Sequence, residues 1–167
     1  MTNQLMKQMG LTFALVAGSI STAMAATSND FVDEAAQGGI TEVAIGKLAL
    51  EKSASADVKA FAQHMVTDHT KANEELVALA KKLDIEVPDD ADLTDKAKKA
   101  ILEIREESFD KSYANNQVAA HEKTVELFEK EAASSDNTEL KAFATKTLPT
   151  LKAHLEKAKA LQAKYNQ

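Results

Sequence analysis

Between residues 56 and 83 the inward-facing positions recur in alternating steps of four and three, and 58, 62, 65, 69, 72, 76, 79 and 83 read Val, Ala, Met, His, Ala, Leu, Leu, Leu. That spacing is one face of an amphipathic helix. The same steps at 140, 144, 147, 151, 154, 158, 161 and 165 read Leu, Ala, Thr, Leu, His, Ala, Leu, Tyr. A less regular stripe joins Ala114, Gln117, Val118, His121, Val125 and Phe128, and a fourth at 35, 39, 42, 46 and 49 reads Ala, Gly, Glu, Gly, Ala. The pattern predicts four long helices, over 30–53, 56–83, 109–133 and from just after "SSDNTEL" to about 164. Start signals agree: "SND" offers three capping oxygens, Ser55 caps the second helix, and Asp136 with Glu139 reads as a capping box for the fourth. Pro149 is expected to kink the fourth helix or make it start over, since proline removes a backbone donor.

The middle of the chain breaks the pattern at "DIEVPDDADLT", after which Thr94 can cap a further helical piece. Run without interruption to Ala133, that piece would be about 60 Å long, against about 36 to 42 Å for the other helices. A break near Ser108 removes the mismatch, leaving 84–107 as a long crossover containing a short helix. The expected fold is therefore all-α, a four-helix bundle whose second and third long helices are joined by that crossover. An internal echo fits: Lys59-Ala60-Phe61-Ala62 matches Lys141-Ala142-Phe143-Ala144, and Glu74, Ala78 and Leu79 match Glu156, Ala160 and Leu161. The second and fourth helices read as copies, and the domain as two related hairpins.

Composition changes the picture at the N-terminus. Residues 1–25 hold a lone Lys7, an apolar core over 11–17 and the small-residue signal Ala23-Met24-Ala25, the parts of a secretory signal peptide. Cleavage is expected after Ala25 or Ala26, leaving a bundle domain over 26–167 with no integral membrane span, located in the periplasm or secreted. The chain of 167 residues has no cysteine, so no disulfide framework holds it in an oxidising compartment. A formal net charge of −6 argues against nucleic acid as a partner, because that binding needs clustered cations to displace counterions.

Each stripe carries one side chain able to bind a metal: Glu42, His69, His121 and His154. Counted from the hairpin turns, all four fall near mid-height of a bundle about 40 Å tall. His64 lies off the stripe and is expected in solvent. The segments "FVDEAAQGGITEVAIGKLAL", "VKAFAQHMVTDHTKAN", "FDKSYANNQVAAHEKTVELF" and "LKAFATKTLPTLKAHLEKA" resemble, in order, the motifs of an exported bacterial family catalogued as a domain of unknown function, the "four-one-four-two" family. The resemblance implies a ferritin-like bundle outside the cytoplasm with no established activity. It also implies that Asp68, Asp110, Tyr113 and Gln117 join the four inward residues as motif polar groups, here a second shell. A carboxylate-bridged di-iron site needs Glu-x-x-His pairs, and three residues before the histidines stand Val66, Val118 and Leu151. What remains is one divalent transition metal, iron or zinc, on three imidazoles and a carboxylate. The rival is a buried hydrogen-bond network that fixes helix register in a noncatalytic envelope protein of stress or interaction function. Nothing beyond scattered carboxylates supports a hydrolase or transferase, since the chain has no Cys, no G-x-S-x-G and no phosphate-cradling loop.

Overall fold

The computed structural model describes residues 27–88 and 109–167. The leader, residues 89–107 of the crossover expected over 84–107 with its short helix, and the break near Ser108 all lie outside the described residues. Four helices account for nearly everything described: α1 (Asp30–Lys52), α2 (Ala56–Lys82), α3 (Phe109–Ser134) and α4 (Thr138–Tyr165). Among the described residues there is no strand, only an isolated bridge between Thr27 and Ile85. No described helix is long and apolar enough to cross a membrane.

Short polar side chains start the helices. Asn29 Oδ1 accepts from the Val32 amide at 3.0 Å, and Ser55 Oγ from Val58 at 3.4 Å. The fourth helix corrects the sequence expectation: its N-cap is Asn137, not Asp136, and Asn137 Oδ1 accepts from the amides of Glu139 and Leu140. Ser135 Oγ accepts from the Asn137 amide at 3.2 Å, a local turn that puts Asn137 under the helix and leaves Asp136 exposed outside it. Of the two outcomes expected at Pro149, a start-over does not occur, because α4 runs through it. Pro149 and Thr145, whose carbonyl loses its partner, are both exposed, so water can satisfy that carbonyl.

The C-terminus of α2 closes in a Schellman turn. The Ile85 amide donates to Ala80 O at 2.9 Å and the Asp84 amide to Lys81 O at 3.4 Å, with Asp84 at φ 55°. The turn also ties down the start of the described chain: Thr27 donates to Asp84 O and accepts from the Glu86 amide. Left-handed backbone costs a residue with a Cβ roughly 1 kcal/mol that glycine avoids. Asp84→Gly is therefore expected to raise stability by about 0.5–1 kcal/mol, read as a higher urea midpoint at unchanged slope.

The helices pair closely as two hairpins, α1 with α2 and α3 with α4, with sparser contact between α1 and α3 and between α2 and α4. Gly46 lets α1 approach α2, since a Cβ there would stand 2.9 Å from Val66 Cγ2 and 3.2 Å from the Ala62 carbonyl. Three ion pairs, Asp57–Lys164, Glu75–Lys146 and Lys82–Glu139, run across α2 and α4 from one end to the other. Exposed as they are, they set register more than stability.

The core is split in two. One cluster contains Phe31, Val32, Leu76, Phe128, Leu140, Phe143 and Leu151, with the rings of Phe31 and Phe128 edge to face at 5.0 Å. The other contains Ile45, Val58, Phe61, Met65, Tyr113, Val118 and Leu161. Along every helix one polar residue stands between its contributions to the two clusters: Glu42 on α1, His69 on α2, His121 on α3 and His154 on α4. All four are buried, as the stripes predict, and form a polar layer between two apolar ones. His64 is exposed.

A candidate metal centre of three imidazoles

Helix α4, which packs antiparallel to both α2 and α3, and those two helices direct a histidine each to one point. Ring centroids of His69 and His121 are 5.6 Å apart, those of His69 and His154 5.5 Å, and those of His121 and His154 5.5 Å, a nearly equilateral triangle. One ligand nitrogen from each lies within 4.8 Å of the others. None of the three rings is more than 5% exposed.

The hydrogen bonds decide which nitrogens carry protons. His121 Nδ1 stands 2.9 Å from the carbonyl of Gln117, one turn earlier on α3. A carbonyl only accepts, so Nδ1–H donates and Nε2 keeps its lone pair. His154 Nε2 stands 2.9 Å from Asp68 Oδ2, so Nε2–H donates to the carboxylate and Nδ1 keeps its lone pair. His121 Nε2, His154 Nδ1 and His69 Nε2 are all buried without a hydrogen-bond partner. An orphaned polar atom is costly in a core, and here three occur in one cluster.

Electrostatics favour the neutral form of two of the rings, His69 and His154. Burial, reinforced by the neighbouring His121 and His154, pulls the His69 pKa down to about 3. Burial also lowers His154, against the opposing pull of the Asp68 hydrogen bond. Neutral imidazole is the form that ligates a metal.

The remaining helix, α1, supplies Glu42, which does not join the group of three. Its Oε2 accepts from Gln117 Nε2 at 2.7 Å, and burial raises its pKa against the lowering influences of His121 and the Gln117 amide. Of the remaining motif residues, Asp68 orients His154, and Gln117 serves twice, by side chain to Glu42 and by backbone to His121. Tyr113 packs its ring against Phe61 and Phe109, and burial followed by Glu42 pushes its hydroxyl up. Asp110 stands in the first turn of α3, half-buried. The role of the Gln117 carbonyl could not be named from side-chain types; the only signal for it is that a helical histidine always has the carbonyl four residues back within reach. Asn73 was also missed, and its side chain occupies the space that a Cβ on Gly39 would need, 1.9 Å from Oδ1.

Three convergent imidazoles can hold one metal ion, with the Asp68 carboxylate and the Gln117 carbonyl as outer partners of the kind that fix the tautomers of His154 and His121. No curated protein and no solved structure matches the chain. A family model does match, over residues 15–161, and the chain belongs to that family, described as Domain of unknown function (DUF4142).

Proposed function

We propose that this protein is an exported, ferritin-like bundle that binds one divalent transition metal, zinc or iron, through His69, His121 and His154, with Glu42 on the side left open. The observation that carries the reading is the set of three bare ring nitrogens. A structural network would hydrogen-bond these rings to one another, whereas the donors of His121 and His154 are spent outward on Gln117 and Asp68. Tetrahedral zinc would set the nitrogens about 3.3 Å apart, at about 2 Å from the ion, so a small inward movement of the rings closes the site. Export rests on the leader over 1–25. The crossover topology is supported by the ends of the helices. Phe109 and Tyr165 share a surface hollow with Lys52 and Ser53 at one end of the bundle, while the Ile85 turn packs with the Phe31 cluster at the other. Helix α2 therefore ends at the opposite end of the bundle from the one at which α3 begins.

The test is metal retention by purified protein after stripping with a chelator and dialysis against zinc or ferrous ion. One ion per chain is expected. Binding at a hundred times Kd stabilises by about 2.7 kcal/mol, which raises the melting temperature by about 5–10 °C. An unchanged melting temperature with no retained metal would leave only the network reading.

A further inference from the structure

Three helices of the bundle give an imidazole and the fourth does not, so the open side of the metal site faces α1. There Glu42 is 4% exposed and accepts from Gln117 Nε2 without joining the histidine set. Glu42 also forms part of the lining of a surface cleft of about 540 Å³ between α1 and α3, together with Gly38, Thr41, Ala119, Ala120 and Lys123. The small residues are what open it: a Cβ added at Gly38 would meet nothing within 4 Å. Beside Glu42, the side-chain oxygens of Gln117 and Tyr113 are buried with no hydrogen-bond partner. Three protein ligands and a free coordination position are the arrangement in which a metal holds an exogenous molecule.

Resting on the metal reading above, we infer that the α1–α3 cleft is the route by which a small oxygen- or nitrogen-donor ligand, water or hydroxide at rest and nothing much larger than a peroxide in exchange, reaches the metal's fourth position, where Glu42 hydrogen-bonds it. On the opposite, α2–α4 face, a hollow of about 410 Å³ is lined by Asp57, Phe61, His64 and Lys164 and by neither Glu42 nor any of the three buried histidines. A smaller hollow of about 140 Å³ between α2 and α4 reaches Asp68, which already occupies Nε2 of His154. A molecule entering there meets the ring edge turned away from the bare nitrogen.

Azide is the probe, titrated into cobalt(II)-loaded protein while the ligand-field bands of cobalt are followed. Azide is expected to shift those bands at a single site. Gly38→Leu, which fills the cleft from a position with room for a side chain, is expected to weaken azide binding by at least about tenfold with cobalt still bound; Thr150→Leu, in the α2–α4 hollow, is expected to change it less than about twofold. Glu42→Met is expected to weaken azide about tenfold, the loss of one hydrogen bond to a charged ligand, and Glu42→Gln to recover most of it. Cobalt binding without any azide response would mean a closed four-coordinate site with Glu42 as direct ligand, and would overturn the inference. So would a Thr150→Leu block with an unaffected Gly38→Leu. Failure of cobalt to bind at all would remove the metal reading itself, a distinguishable outcome.

Discussion

His121→Ala is expected to weaken metal binding roughly a hundredfold to a thousandfold, measured by competition with a chromophoric chelator. Four-ligand zinc sites are worth about 10–16 kcal/mol, so one ligand carries about 3–4 kcal/mol, which sets that range. His64→Ala removes an exposed ring and is expected to change nothing. Asp68→Asn separates ligation from orientation. The carboxylate that accepts from His154 Nε2 becomes an amide, the tautomer is held less firmly, and affinity is expected to fall about 10- to 100-fold with all three imidazoles in place. Equal affinities for wild type and His121→Ala would show that the ion sits elsewhere.

Acid is expected to destabilise the metal-free protein, most steeply between pH 4.5 and 3. His69 has a folded pKa of about 3 against an ordinary value of 6.5. Between those values the unfolded chain binds a proton that the folded chain refuses. Stability from this group is therefore complete above pH 6.5 and is lost as pH falls toward 3, at up to about 1.4 kcal/mol per pH unit. His154, also lowered, acts in the same direction. Glu42 runs the other way. Its folded pKa is raised above 4.5, so its contribution is present below pH 4.5 and is lost as pH rises through the raised value. In the upper part of the window the two effects partly offset. Below pH 4.5 Glu42 is protonated in both states and adds no slope, while His69 still costs about 2 kcal/mol down to pH 3. Urea titrations at a series of pH values in the presence of a chelator check this. His69→Leu should flatten the acid limb by about that amount, and an unchanged limb would mean that the ring is charged in the folded state.

Much of the bundle could be read along the chain because a helix repeats every 3.6 residues. A stripe spaced by fours and threes names its buried face without knowledge of what packs there. That is why the first three helices stand within a residue of their expected bounds and the fourth starts about three residues early, and why Glu42, His69, His121 and His154 are all buried. Caps were less legible. Asp136 and Asn137 are both good capping types, and only the turn made by Ser135 selects between them. Pro149 left two outcomes open for a related reason: a missing donor interrupts a helix only where nothing else satisfies the freed carbonyl, and exposure is a tertiary property.

For the candidate site the division is sharper. Residue spacing put one chemistry-bearing side chain on each inward face and at a common height, a consequence of helical rise alone. It could not say which of the four meet. Helix packing decided that, by bringing α2, α3 and α4 together so that their rings form a triangle of 5.5 to 5.6 Å while Glu42 turns to Gln117. Nor could sequence assign the protons. Which nitrogen of a histidine is bare depends on what lies beyond its other edge, and that was a carbonyl of its own helix for His121 and a carboxylate from a neighbouring helix for His154. Periodicity is local and is written into the chain; convergence and tautomer depend on contacts between residues as far apart as Asp68 and His154, which exist only once the helices have packed.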